Sequence, residues 1–568
     1  MTHKLDYRLP LVFLGGLLFQ FLFWDELLGL NLLLYTIFIM AITFTDKDIP
    51  FHKNKLYTAL PHLAIAIYIV YYNSILAIAT WFVTLLIYLG TAHFAMLKST
   101  ATALIWGALQ SISGPYGIVT KLQTTKLGKI NFKPVVKPLK YIVVPLLMVV
   151  IFCSLYSIAN PIFAKYTNAV MSNINYFFTS IFNFLFIDIS IPKCLFIILG
   201  ILITAGIIVG IKSKLLGEVE LGANNQLTRK RRGRNDIWLF QDFRTLFAGN
   251  QTKKKLALNT ENIVGIISLT ALNILLLFLN GIDIFTLWFN NNTSKNFSAE
   301  LHDGTNTLIF SIVIAMLIII YFFSGNLNFY RKNKLIKLLA YIWIVQNVFL
   351  ACSVFHRDYD YVLYYGLTYK RIGVAVFATL SLIGLVTVYI KVAKQKTVFF
   401  LYRVNSKIWY VLLILLSFIN WDILIVNYNL NHADKIGIDV DHLMSFSDKT
   451  LPLLEKNRNK LKKHIIETTK RKIETDSTFV PPPIKITIDT AAKSTPDNVI
   501  ESKIPNNAEL KTLAIQQAKD EFNKRIDNRI SWFIKKQKSV SWLSFSYLEW
   551  ESIQVLRPAP TASINKPD

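Results

Sequence analysis

Apolar runs of roughly 16–25 residues recur about eleven times along the chain, and most are long enough for a helix to cross a bilayer core. In order they are Leu9–Trp24, Leu27–Phe44, Leu56–Tyr72, Ile75–Ala95, Tyr141–Ala159, Cys194–Ile211, Ile263–Phe285, Thr305–Phe323, Leu335–Val354, Thr368–Val392 and Ile408–Asn429. Asp25 and Glu26 stand where a signal-peptide cleavage site needs small residues, so the first run is read as an uncleaved helix. Two further runs are weaker. Phe177–Ile187 is too short to cross and reads as an interfacial or re-entrant segment, and residues 101–120 read as a surface helix on the inner face.

Lysine and arginine fall in every second gap: Lys47, Lys53 and Lys55, then Lys98 to Lys140, Lys212 to Lys255, Arg331 to Lys334, and Lys394 to Lys407. Because Lys and Arg concentrate on the cytoplasmic side, this alternation predicts a cytoplasmic amino terminus and, after an odd number of spans, an extracytoplasmic carboxyl terminus. Beyond Asn429 the chain turns polar. Two helices, Leu451–Glu474 and Ala508–Gln537, are expected on either side of a linker at 476–507 that contains Pro481-Pro482-Pro483. The fold class predicted is therefore all-α: a polytopic transmembrane helical bundle over 1–430 and a mostly helical extracytoplasmic tail over 431–568.

Composition agrees with this picture. The 568 residues are 53% hydrophobic, with a mean hydropathy of +0.41. A formal charge of +26 raises nucleic acid as a partner, but the basic residues alternate with spans instead of gathering on one module, which argues for membrane topology and against nucleic-acid binding. The bilayer is the first partner implied. Cys153, Cys194 and Cys352 form no CxxC pair, no HExxH occurs, and no metal or cofactor site is predicted.

Candidate chemistry lies in the later spans. Asn273, Asn280, Gln346, Asn347, Arg371, Asn420 and Asp422 all fall at apolar depth, where an ion costs at least ~2.5–3.5 kcal/mol and needs a partner or a hydrated cavity. At ~1.5 Å per residue, Arg371 and Asp422 differ by about 8 Å in depth, within reach of a leaning arginine. They form the preferred pair; Arg371 snorkelling to headgroups is the alternative. Outer loops are expected to hold His302, Asp303, His356 and Asp358, as a proton-relaying cluster or as a solvated loop. Arg229, Lys230, Arg231, Arg232 and Arg234 read as a topology anchor able to attract anionic lipid at the cytoplasmic face. Gly206 and Gly210 form a GxxxG pair suited to internal packing. In the tail, Trp532, Phe533, Trp542, Phe545, Tyr547 and Trp550 suit either a small packed core or a surface that meets membrane or a protein partner.

The run Tyr364-Tyr365-Gly366-Leu367-Thr368-Tyr369-Lys370-Arg371 resembles the Tyr-Gly-Leu-Thr signature of a bacterial membrane family, domain of unknown function 4153, and its relative 4173. Phe323-Ser324-Gly325-Asn326-Leu327-Asn328-Phe329-Tyr330, Ile419-Asn420-Trp421-Asp422 and Ser541-Trp542-Leu543-Ser544 are similar to its Bacteroidetes-type branch, with the likeness strongest over 259–454. The resemblance implies a bacterial inner-membrane protein and supplies no catalytic residues. Three functions stay open: transport of a small solute or ion; a non-enzymatic scaffold or sensor coupling the basic inner loop to the outer tail; and a membrane transferase using Asp283, Asp303 and Asp358.

Overall fold

The structure, a computed structural model, describes residues 8–47, 51–124, 160–184, 191–209, 223–227, 257–289, 305–475 and 507–556, with isolated positions between them. Its first half is a bundle of α1 (Arg8–Phe23), α2 (Leu30–Thr45), α3 (Lys53–Tyr72), α4 (Ile75–His93) and α5 (Thr100–Thr124), followed by α6 (Pro161–Phe184) and α7 (Ile191–Ile208). Polar side chains make the sharp turns. Asn31 accepts from the amides of Gly29 and Leu32 and donates to the carbonyls of Leu22 and Leu27, using its full hydrogen-bonding capacity to close the α1–α2 turn. Ser74 caps α4 by accepting from Ala77 N at 3.1 Å.

Small residues let these helices touch main chain to main chain. A Cβ on Gly90 would meet the backbone of Ala103, one on Gly107 the backbone of Leu86, and one on Gly206 the backbone of Ser111. These contacts run α5 back antiparallel along α4 and against α7, where Gln110 donates to Val209 O at 3.1 Å. The inner-face surface helix expected at 101–120 is thus corrected to a bundle helix, because its glycine and its partners' glycines admit close packing on two sides. The short segment expected at Phe177–Ile187 is the end of α6, whose helix begins sixteen residues earlier at Pro161; residues 185–187 lie outside the described residues. The run expected at Tyr141–Ala159 lies almost wholly outside them.

The second bundle comprises α8 (Ala257–Asp283), α9 (Thr305–Phe322), α10 (Lys334–Tyr365) and α11 (Tyr369–Ala393), packed around Leu269, Ile312, Ile319, Phe323, Trp343 and Leu385. The helix α12 (Val398–Ser417) joins the halves: its Leu401 belongs to this core, while its Tyr410 packs with Ile87, Ala103 and Trp106 of the first bundle. Two spans differ from expectation. The helix predicted at Leu335–Val354 continues to Tyr365 and stops at Gly366, whose φ of +81° favours glycine. The span predicted at Ile408–Asn429 is two helices, α12 and α13 (Trp421–Asn431), because Asn420 accepts from Ile423 N at 3.3 Å and starts a new helix.

The tail folds on α13. Ile425, Val426 and Leu430 pack with residues of α14 (Val440–Met444), α15 (Leu451–Lys456), α16 (Arg458–Thr475), α17 (Asn507–Lys538) and α18 (Tyr547–Leu556), among them Leu443, Leu454, Leu461, Phe522, Ile526, Phe533 and Ile553. The unit therefore starts at Trp421, about ten residues before the expected boundary at 431. Phe533 is in this core, whereas Trp532, Trp542 and Trp550 are exposed, so the tail aromatics divide between packing and surface.

Long basic side chains tie helix ends together. Lys55 Nζ donates to Thr43 O at 2.6 Å, Lys391 Nζ to Phe323 O at 2.7 Å, Lys460 Nζ to Leu430 O at 2.8 Å, and Lys449 Nζ to Tyr72 O at 2.8 Å and to Asn73 O. Each carbonyl lies in or just beyond the last turn of α2, α9, α13 or α3, where carbonyls lack intrahelical donors and the helix dipole is negative. Arg529 does the same for Met444 O and Phe446 O after α14. We call the end of the bundle bearing Arg8, Asp46 and Lys55 the Arg8 face, and the opposite end the tail face.

Outward surfaces carry Leu14, Leu17, Ile274, Phe278, Val345 and Phe377, while Thr36, His62, Asn273, Asn347 and Lys391 are buried. That reverses the arrangement of a protein solvated by water and matches one solvated by lipid. Among the described residues, five helices are long and apolar enough to cross a membrane: α4, Leu258–Leu287, α10, α11 and α12; shorter apolar helices, among them α1 and α2, accompany them. A direct check of the α4–α5 contact is Gly107→Leu, expected to cost about 1–3 kcal/mol through overpacking and to lower the thermal midpoint in detergent. An unchanged midpoint would contradict the antiparallel packing.

Candidate functional site

In the second bundle α10 presents two polar stripes. One faces α8. Asn273 donates to Leu269 O at 2.7 Å and Leu339 O at 3.1 Å, and Asn280 donates to Gln346 O at 3.2 Å. The cross-helix partners are 66 positions apart in both cases, so α8 and α10 run parallel in heptad register. At the tail-face end of this seam Arg357 donates to Asp283, with both side chains almost fully buried. His356 lies 3.3 Å from Leu287 O and 3.9 Å from the Asp360 carboxylate.

The other stripe faces α11 and consists of Asn347, Val354, Asp358, Tyr361 and Tyr365, residues that succeed one another on one face of the helix. Arg371, in the first turn of α11, lies over that face: its guanidinium carbon is 4.4 Å from the Tyr361 ring centre and 6.0 Å from that of Tyr365. Asp358 stands one turn before Tyr361 on that same face of α10. Exposure is 5% for Asp358 and 8% for Arg371. No direct ion pair joins them, and Asp358 Oδ1 and Arg371 Nη1 each lack a hydrogen-bond partner among the described residues. One turn beneath, Val354, Val374, Ala378 and Ile309 pack together as an apolar layer.

The pair expected from the sequence, Arg371 with Asp422, does not form. Asp422 accepts instead from Tyr369, two residues before Arg371, and sits in the first turn of α13, where an acidic residue suits the helix amino end. The break at Asn420 turned the chain away from the membrane depth that an unbroken span would have given. Asn420 serves as the cap of α13, and Asn347 donates to Trp343 O at 2.7 Å within its own helix. His356 and Asp358 lie on α10 and not in a loop, because the helix runs eleven residues past its expected end. His302, Asp303, Arg229, Lys230, Arg231, Arg232 and Arg234 lie outside the described residues.

A second polar locus in the first bundle went unread in the sequence. Lys55, Thr58 and His62 form a stripe on α3, and Thr84, Tyr88 and Thr91 one on α4. Thr58 and Thr91 hydroxyls are 2.6 Å apart, Tyr88 meets Thr43 of α2, and Trp81 Nε1 donates to Thr36 Oγ1 at 2.8 Å. His62 Nδ1 lies 2.9 Å from Thr84 Oγ1, whose own proton goes to Trp81 O at 3.0 Å. Thr84 therefore accepts, His62 carries its proton on Nδ1, and its Nε2 is a buried lone pair without a described partner. At the Arg8 face, Arg8 pairs with Asp46 at 2.6 Å. The available signal was the recurrence of Thr and Tyr on one face of α4, hidden because each is a mild residue in an apolar run.

The tail docks against the tail face of both halves. Lys449 reaches the end of α3, Ser544 Oγ donates to Glu26 at 2.6 Å and accepts from Leu27 N at 2.8 Å, and Tyr547 stacks on Tyr71 at 4.9 Å. Burial lowers the pKa of the Lys449 ammonium, and Glu549 at 3.6 Å opposes that shift. On the second half Asn429 accepts from Leu367 N at 2.7 Å and donates to Leu367 O at 2.9 Å, against Gly366.

Such an arrangement defines a class, a helical membrane protein with two bundles and a helical domain seated on one face. More particularly, the chain belongs to the family described as a domain of unknown function (DUF4153), whose family model matches residues 33–457. No curated protein and no solved structure matches it. The matched span includes both polar loci and the first three helices of the tail core, α13 to α15.

Breaking the buried ion pair tests the α8–α10 seam. Arg357→Gln or Asp283→Asn alone should destabilise by about 3–5 kcal/mol in detergent unfolding, and the double variant should recover a large part of it. Additive losses would show that the two side chains are not partners.

Proposed function

We propose that this protein binds and moves a small polar solute or ion, entering from the tail face between α10 and α11. The observation that carries this reading is the Asp358–Arg371 arrangement, two opposite charges more than nine-tenths buried in apolar helices and not closed on each other. Charges at such depth normally mark a substrate or ion pathway, since a mere packing role is served better by apolar residues. Distribution of Lys and Arg supports the Arg8 face as cytoplasmic and the tail as extracytoplasmic, with a multi-pass chain in a bacterial inner membrane. The transferase reading is weaker, because Asp283 is held by Arg357 on the α8 side of α10 while Asp358 faces α11. Transport into proteoliposomes, measured as current for a panel of salts and as uptake of label for neutral small solutes, is the test. Asp358→Asn or Arg371→Gln should abolish it while the purified protein stays monodisperse; undiminished transport in both would refute the assignment.

A second reading, a sensor or scaffold in which the tail governs the bundles, is favoured by the docking of one tail on both halves. A disulfide between Tyr71→Cys and Tyr547→Cys separates the two. A transporter with a fixed cap retains its current when the bond is formed, whereas a tail that must move loses it until the bond is reduced.

A further inference from the structure

Asp358 and Arg371 can be read for the chemistry of what they would hold. The geometry points to a seat for a small zwitterion of the amino-acid type, its ammonium on Asp358 and its carboxylate on Arg371, with Tyr361 and Tyr365 as the aromatic wall and Val354, Val374 and Ile309 as the floor. This inference rests on the reading of the tail-face end as a solute site and names the class of solute.

The argument is one of matching charge and matching vacant hydrogen-bonding capacity. Asp358 Oδ1 is an acceptor without a donor, and Arg371 Nη1 a donor without an acceptor. A lone anion would satisfy Arg371 but be repelled by Asp358 and leave it unpaired. A lone cation would do the reverse. A net-neutral ligand with both groups on one carbon satisfies both at once and leaves no uncompensated charge under lipid. Arginine supplies a planar fork for a carboxylate, and two tyrosine rings, tilted to each other with centres 4.5 Å apart, offer aromatic carbon for the ligand's own carbon atoms.

Neighbouring charges do not compete for the site. Arg357 is turned to Asp283 on the α8 side, Asp422 is held by Tyr369, and Asp360 lies beside His356. On the α11 side of α10, Asp358 Oδ1 and Arg371 Nη1 are the charged-group atoms left without partners among the described residues; Arg357 Nε and Asp283 Oδ2 are likewise left over on the α8 side, but those two groups are already joined as an ion pair.

The test uses the full chain in lipid nanodiscs. Thermal unfolding and radioligand binding are measured with the protein amino acids and glycine betaine as zwitterions, and with acetate and methylamine as the separated halves. At least one zwitterion should raise the unfolding midpoint, with acetate and methylamine each giving a far smaller shift at equal concentration. Asp358→Asn and Arg371→Gln should each weaken binding at least about tenfold. Should either fail to fold, Arg371→Lys, which keeps the charge and loses the fork, should still weaken the carboxylate contact. No shift with any zwitterion, or an equal response to methylamine alone, overturns the inference. Solute-driven current or uptake without zwitterion binding would overturn the inference while leaving transport standing; zwitterion binding without uptake of the radiolabelled zwitterion into proteoliposomes would support the inference and remove transport.

Discussion

Long basic side chains reaching the carbonyl ends of helices hold this molecule together. An α-helix leaves its last carbonyls without partners, and in a low-dielectric setting that deficit is expensive. Lys55, Lys391, Lys449 and Lys460 each place a charged donor on such an end, and Arg529 places two. The donor and the carbonyl come from different elements in every case, so the contact that completes one helix also fixes a second against it. Lys449 is the clearest instance, because it seats a tail remote in sequence on the turn between α3 and α4.

Polar groups inside the bundles follow a second rule. Thr36, Thr43 and Thr91 return their own protons to carbonyls of their own helices and so remain free to accept from a neighbouring one. Asn273 and Asn280 instead donate across to α10. Most buried polar side chains are accounted for in this way. Single atoms remain without described partners at several places, among them Asn273 Oδ1, Gln346 Oε1 and His62 Nε2; function is sought at the Asp358–Arg371 face because there the unpartnered atoms belong to two opposite charges that make no ion pair.

Much of the fold was legible because apolar length is a strong signal: the termini of α1 to α4, α9 and α11 lie within a few residues of the predicted limits. Packing overrode the rest. The run at 101–120 is too polar to stand out as a span, yet glycines set it into the bundle. At Asn420 a single side-chain cap ended one helix and began another, and Asp422 moved from the proposed intramembrane pair to the tail. Arg371 and Asp358 were both visible as charges, but their proximity was not, because it required α10 to continue through His356 and Asp360 as helix. The His62 locus was missed because threonine and tyrosine carry little weight in a hydropathy reading.

Density from an experimental map of the full chain in a lipid nanodisc tests most directly whether cations on helix ends assemble the parts. The account predicts a tail fixed on the α3–α4 turn, with Lys449 continuous with the Tyr72 and Asn73 carbonyls and Lys391 with that of Phe323. A tail averaged over many positions, or Lys449 extended into solvent away from that turn, would contradict it.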